Sequence, residues 1–284
     1  MKPLWTKCIS TTGTIRGVAI QATALAQEAA KRHGLQGQGA QGVGEALLGG
    51  LLLASNCKEG EHINLNIRGT GFYSQALVDA YPEGHCRGFV VCRETPESTQ
   101  GPWGEGLLSV LRSNQAQEHR QPYIGTVPLA TGHLAKDLTF YLFQSEQVPS
   151  AVGISVLLDS EGAIESAGGF LVQALPGADE KDIDRIANQV QQISGHAEQF
   201  IREGDPLKIL TQIFSDLAFV VLEQKELSFA CDCSMDRVSR ALALVGPDEI
   251  RSMIEQDGRA KVHCDFCSRE YEIGEDALRA MISG

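Results

Sequence analysis

Residues 231–267 read CDCSMDRVSRALALVGPDEIRSMIEQDGRAKVHCDFC, and the four cysteines in this stretch organise the reading of the whole chain. Cys231 and Cys233 form one short pair. Cys264 and Cys267 form a second, with 30 residues between the pairs. Two such pairs can converge on a single ion. Thiolate sulfur is soft, and four sulfurs in a tetrahedron suit one Zn²⁺. The second pair lies between Lys261-Val262-His263 and Arg269-Glu270-Tyr271, a pattern expected of a hairpin with a knuckle turn. Two short helices are expected between the pairs, over 235–244 and 248–256, and a closing helix over 276–282. Residues 231–284 number only 54, few for a self-sufficient core, so a metal staple fits the length.

A four-sulfur set leaves no open coordination position. Hydrolytic zinc catalysis needs three protein ligands and a water, so no enzyme activity and no catalytic residue are expected here. His263 adjoins Cys264 but is read as a neighbour of the ion rather than a ligand. The Cys-x-Cys spacing adds a second chemistry. A disulfide between Cys231 and Cys233 would close a small, strained ring, and strained disulfides are easily reduced. Both pairs can close locally, and oxidation would remove the thiolates that hold zinc. Structural zinc contributes on the order of 10–16 kcal/mol in small zinc peptides. That exceeds what so small a domain holds by packing alone, so chemistry permits a redox switch without demanding one.

Outward from this stretch, composition sets the frame. The chain has 284 residues, 43% hydrophobic and 21% charged, which reads as globular. Its formal net charge is −12 and its aromatic content 6%, both against a nucleic-acid platform. Eight cysteines are too few for a disulfide scaffold of this size. The N-terminus shows no secretory h-region, and no apolar run reaches the roughly 20 residues needed to span a bilayer. A cytoplasmic, reducing location without membrane contact is the expectation, and it favours metal-bound or redox-sensing cysteines. Charge is uneven. Residues 1–178 hold 15 acids and 12 bases, whereas residues 179–284 hold 21 acids and 12 bases. Leu175-Pro176-Gly177 marks the shift.

Residues 1–178 mix helix and strand signals, so an α+β (mixed α/β) core domain is expected. Strand signals fall at 14–23, 62–68, 87–92 and 151–158, and helix signals at 24–33, 45–56 and 136–145. Gly34 sits where a helix-ending glycine would. The run Gly37-Gln-Gly39-Ala-Gln-Gly42 spells G-x-G-x-x-G but follows a helix-like segment rather than a strand, so a loop, or an ill-defined start of the following helix, is expected and not a dinucleotide site. Residues 179–230 read as a helical linker. Ile183, Ile186, Val190 and Ile193 line one helix, with a stop at Gly195. Leu207, Leu210, Phe214 and Leu217 line another, which starts at Asp205-Pro206. The linker is either a fixed arm on the core or a detachable one whose apolar faces become exposed. Cys8, Cys57, Cys86 and Cys92 read as ordinary thiols, although His85 beside Cys86 raises a second metal site. Asp137 and Glu146 read as structural acids.

The cysteine spacing resembles the heat-shock protein thirty-three family of redox-regulated bacterial holdase chaperones. The similarity continues through Arg32-His33-Gly34-Leu35, Arg87-Gly88-Phe89-Val90 and Pro122-Tyr-Ile-Gly-Thr-Val127. It extends to Gln144-Ser-Glu-Gln-Val-Pro-Ser-Ala151 and Ala167-Gly-Gly-Phe-Leu-Val-Gln173, in family order over essentially the whole chain. The resemblance implies a chaperone core (1–178), a helical linker (179–230) and a small zinc-binding redox-switch domain (231–284). It implies that Cys231, Cys233, Cys264 and Cys267 hold one Zn²⁺ in a reduced, inactive state. Oxidation would then form the Cys231–Cys233 and Cys264–Cys267 disulfides and release zinc. The linker would unfold and apolar surface would bind unfolding client proteins, without ATP and as a homodimer. A zinc-ribbon interaction or nucleic-acid-binding module on an α/β domain is the competing expectation, and the acidity of the cysteine-bearing region counts against it. A thiol oxidoreductase built on Cys264 and Cys267 lacks the thioredoxin-like strand context.

Overall fold

In the computed structural model, which describes residues 2–114, 122–194, 202 and 204–283, the chain divides into two units, Met1–Ala230 and Cys231–Gly284. The first unit is built on two sheets and one buried helix. Strands β1 (Leu4–Ser10), β2 (Ile15–Gln21), β8 (Ser150–Leu158), β9 (Ile164–Ala174) and β10 (Phe219–Glu226) form an antiparallel sheet in the order β10-β1-β2-β9-β8. Strands β3 (Glu61–Gly69), β4 (Tyr73–Ala80), β5 (His85–Cys92), β6 (Gly106–Asn114), β7 (Tyr123–Pro128) and β11 (Ser228–Phe229) form the other, in the order β11-β5-β4-β3-β6-β7. Its ladders are antiparallel except for the two-residue parallel pairing of β11 on β5.

Helix α2 (Gln38–Ala54) contacts strands of both sheets. Apart from Gln38, Gln41 and Glu45 on one face of its first half, its sequence, QGAQGVGEALLGGLLLA, is apolar or small, and such a helix has to be buried over most of its surface. Leu47, Leu48, Leu51 and Leu52 are at most 1% exposed. The glycines let the sheets approach. A Cβ on Gly50 would stand 2.6 Å from Val78 of β4, and one on Gly44 would stand 3.0 Å from Val156 of β8.

The structure corrects the expectation of a loop over the G-x-G-x-x-G run. Only Gly37, with φ 56°, lies outside the helix, while Gly39 and Gly42 are within it. Local propensity disfavours glycine in a helix, but packing overrides it here. A Cβ on Gly42 would sit 2.4 Å from the Tyr73 ring, whose hydroxyl donates to Gln38 O at 2.8 Å. Gly42→Ala therefore sets two effects against each other. Helix propensity favours alanine by about 1 kcal/mol, whereas overpacking costs about 1–3 kcal/mol. We expect a lower urea midpoint at unchanged m-value. An unchanged or higher midpoint would show that the Tyr73 ring moves freely.

Helix α1 (Thr23–Arg32) ends as its sequence suggests. Gly34 has φ 62°, the Leu35 N–H donates to Ala30 O at 2.9 Å, and the Gly34 N–H donates to Lys31 O at 3.2 Å. Helix α3 (Leu134–Gln144) buries Leu138, Tyr141 and Leu142. Asp137 and Glu146 have structural partners, as expected. The Asp137 carboxylate accepts from the backbone N–H groups of Ala130 and Thr131, and Glu146 pairs with Arg112 at 3.2 Å.

Among the described residues beyond 178, two amphipathic helices come first, α4 (Glu180–Ser194) and α5 (Pro206–Ile213). Asp205 caps α5, its carboxylate accepting from Leu207 N–H at 2.9 Å. The stop expected at Gly195 lies outside the described residues. Both stripes are covered: Ile186, Ile193, Ile209, Leu210, Ile213 and Phe214 pack with Cys8, Ile15, Ala19, Phe170 and Val172 of the first sheet. Val190, Leu217 and Phe219 flank this cluster, and Ile183 and Leu207 are half-buried. The segment then ends in β10 and β11, a strand contribution that helical periodicity does not reveal.

The second unit holds α6 (Met235–Ala243), α7 (Pro247–Asp257), the antiparallel hairpin β12 (Arg259–His263) and β13 (Glu270–Gly274), and α8 (Glu275–Ser283). Its core consists of Val238, Leu242, Ile250, Ala260, Tyr271, Ile273 and Leu278.

Candidate metal centre

The hairpin turn sets the second cysteine pair. The Cys264 N–H donates to Arg269 O at 3.0 Å, and the Cys264 carbonyl accepts from Cys267 N–H at 3.2 Å and Ser268 N–H at 2.8 Å. Ser268 takes a left-handed conformation, φ 57°, to close this knuckle. The start of the next helix sets the first pair. Ser234 caps α6, its Oγ accepting from Arg237 N–H at 3.3 Å, so the chain turns sharply after Cys233.

The four Sγ atoms lie within 4.8 Å of one another. Cys231 Sγ is 3.8 Å from Cys264 Sγ, and Cys233 Sγ is 3.3 Å from Cys267 Sγ. Zn–S bonds of about 2.3 Å in a tetrahedron imply S···S edges of about 3.8 Å. Cys267 is buried, and Cys231, Cys233 and Cys264 are half-buried. The spacing thus fits a tetrahedral four-sulfur site for one ion.

Electrostatics supports the same reading. Burial raises the Cys233 thiol, but Tyr271 and the three neighbouring thiols outweigh it and bring Cys233 down to about 7. The Tyr271 hydroxyl is buried and outside regular hydrogen-bonding geometry, so we assign its pull on Cys233 to electrostatics. Burial pushes Cys267 up to about 12 and raises Cys264 as well. Four thiolates cannot share this space without a compensating cation, and a divalent metal supplies one.

Tyr271 and Arg269 are the neighbours that spacing did not single out. The Arg269 guanidinium is favoured first by Tyr271 and then by the Cys233 and Cys267 sulfurs. Their place beside the knuckle was the only signal in the sequence. His263 is not among the converging groups. Its Nδ1 lies 3.9 Å from Asp265 Oδ1 on the exposed side of the hairpin.

The other cysteines behave differently. Burial lifts Cys8 to about 12 and Cys57 to about 11, and it raises Cys86 and Cys92 too. Thiols of this kind stay protonated and unreactive. Among the described residues no metal-ligating group gathers around His85 and Cys86. His85 instead stacks on Tyr81, with ring centroids 4.2 Å apart.

Comparison with known proteins decides the family. Residues 4–274 match the family model described as Hsp33 protein. The chain belongs to the Hsp33 family. A 33 kDa chaperonin of Geobacter sulfurreducens is 35% identical over 97% of this chain and 93% of its own length. One from Streptococcus thermophilus is 32% identical, covering 98% of each chain. The crystal structure of a 33 kDa chaperonin (heat shock protein 33 homolog) from Thermotoga maritima matches with TM-score 0.88 and 28% identity, over 100% of this chain and 98% of that one. Hsp33 membership agrees with the resemblance drawn from the cysteine spacing and the core blocks, and the mixed α+β architecture is as expected. No helix among the described residues is long and apolar enough to cross a membrane.

Proposed function

We propose that this Hsp33 protein is a redox-regulated, ATP-independent holdase chaperone of the cytoplasm. The observation that carries the reading is the convergence of four cysteine sulfurs, within 4.8 Å of one another, in a unit with a small core. Cys231, Cys233, Cys264 and Cys267 would hold one Zn²⁺, which when bound supplies the cross-link that keeps residues 231–284 folded. The reduced form is the inactive one.

Oxidation removes the ligands. Each disulfide forms as two thiols give up two electrons and two protons, and one peroxide is reduced to two waters. We assign the bonds to Cys231–Cys233 and Cys264–Cys267, following the family. The sulfur separations of 3.8 and 3.3 Å run between the pairs, so the compact cluster does not by itself select this pairing. The family resemblance implies it, and local disulfides would free the two ends of the unit. Release of residues 179–230 then uncovers the stripe of Ile186, Ile193, Ile209, Leu210, Ile213 and Phe214. Apolar surface contributes roughly 25 cal/mol per Å² buried, with little sequence preference, which suits unfolding proteins as clients. The active form is a homodimer in this reading.

Light scattering of a thermally unfolding client tests the proposal. Suppression should appear after treatment with peroxide and heat, reverse on reduction, and coincide with zinc release. Peptide mapping should find the two local disulfides. Equal suppression by the reduced zinc form would sink the switch. Retention of DNA or RNA at moderate salt would instead favour the zinc-ribbon reading.

A further inference from the structure

A cavity of about 210 Å³, mostly apolar in its lining but with one polar wall, lies at the C-terminal end of α2, far in sequence from the cysteine cluster. Lys7 of β1, Arg16 of β2, Gln173 of β9 and the post-helix residues Ser55 and Asn56 form its polar wall. Leu222 closes another side. It is available because β10 is bulged there: the register passes from Lys7↔Glu223 to Cys8↔Val221, leaving Leu222 opposite no β1 residue.

Gln173 is 1% exposed, and its amide fixes the donors. Its Oε1 accepts from Arg16 Nε at 2.9 Å and from Asn56 Nδ2 at 2.8 Å, while its Nε2 donates to Ser150 Oγ at 3.0 Å. What remains for a ligand is the rest of the Arg16 fork and the second Asn56 amide proton, with the Lys7 ammonium beside them shared with Glu223 at 3.3 Å and the Trp5 ring. The nearby carboxylates are engaged. Glu223 holds Lys7 at 3.3 Å and Lys225 at 3.6 Å, and Glu146 holds Arg112 at 3.2 Å. Arg16 itself forms no ion pair among the described residues. Burial lowers its proton affinity, with Glu146 opposing this and Arg112 adding to it, yet a guanidinium stays charged in any case.

The carbonyl end of α2 accounts for cations at this place. It does not account for a buried amide that holds Arg16 and Asn56 in place on the cavity wall. We propose that the cavity binds a small oxyanion of phosphate size, held by the Arg16 fork with Asn56 and Lys7. Arg suits such ligands because its planar donors meet two oxygens at once. The volume admits an anion with part of its hydration and is below the range of drug-sized pockets, about 300–1,000 Å³.

Calorimetric titration of the full-length, zinc-loaded protein with inorganic phosphate tests this, against sodium chloride at matched ionic strength. A saturable single-site heat is expected, with amide shifts confined to residues 7–8, 16–17, 55–57 and 171–173. Sulfate should compete. Arg16→Gln should weaken binding by about tenfold or more, the loss expected of charge-assisted hydrogen bonds. Unchanged phosphate affinity in Arg16→Gln, failure of sulfate to compete, or unsaturable shifts spread over basic surface would each overturn the proposal. Should Arg16→Gln lose the wild-type circular dichroism, Arg16→Lys replaces it. That variant keeps the charge without the fork, and equal affinity there would equally overturn the site.

Discussion

Cys264→Ser is expected to take bound zinc from one ion per chain to almost none, and to leave residues 231–284 nearly unprotected against amide exchange. Residues 1–178 should keep their protection. The size of the effect comes from how little else holds the unit. Its core has seven buried apolar or aromatic side chains, two of them no larger than valine, and the chain around them is only 54 residues long. Conformational entropy costs about 1–2 kcal/mol per residue, so such a core leaves little net stability. Zinc in small peptides contributes on the order of 10–16 kcal/mol, which is more than any packing change here can offset. Cys264 is the most telling position to test because its backbone already closes the knuckle through Arg269, Cys267 and Ser268. The turn can persist in the serine variant, so a loss of zinc reports on the sulfur. Atomic emission for the metal and exchange mass spectrometry for the backbone provide the two readouts. Full zinc content in Cys264→Ser would refute ligation by that residue. Lost zinc with a fully protected unit would refute the staple.

What the sequence made legible was local. The cysteine spacing, the Asp205 cap, Gly34 after α1 and the apolar stripes of α4 and α5 each sit within a few residues of the element they specify. They appear where spacing and propensity put them, except that α5 ends at Ile213, before Phe214 and Leu217. Strand β10 was not legible. It is an edge strand whose partner β1 lies at the other end of the chain, with Leu4 opposite Glu226, so only tertiary pairing identifies it. The glycine run at the start of α2 misled for the same reason. Gly42 answers to the ring of Tyr73, which approaches from strand β4. The oxyanion cavity is the extreme case. Arg16 and Gln173 are 157 residues apart, and Asn56 and Gln173 are 117 apart, so no window of sequence contains the site. At the metal centre, identity of the ligands was legible but their electrostatics was not. Only the folded hairpin brings Tyr271 to bear on Cys233.

Leu210→Asp is expected to release the linker without any oxidant. Leu210 is fully buried beside Phe214 in the cluster packed on the first sheet, and that packing has no slack. A Cβ added to Gly17 of β2 would already lie 2.8 Å from the Phe214 ring and 3.2 Å from Leu210. Truncating a buried leucine costs about 2–5 kcal/mol, and an unpaired carboxylate in the same place adds to that. Helix α5 has only eight residues and cannot persist alone once its apolar face is undone. Exchange should therefore accelerate over 180–194 and 206–213 in the reduced, zinc-loaded protein, and that protein should suppress client aggregation. Zinc content should be unchanged, since the ligands lie beyond residue 230. Gly17→Val attacks the same contact from the sheet side with the linker sequence intact, at a smaller cost of about 1–3 kcal/mol. It separates loss of packing from the new charge, because both variants should act in the same direction. An exposed linker with no client suppression would break the link between linker release and client binding. A protected linker in Leu210→Asp would refute the packing argument itself. Oxidation then has one task in this scheme, to remove the zinc-held unit, and the energy it must overcome on the core side is that of the cluster around Leu210 and Phe214.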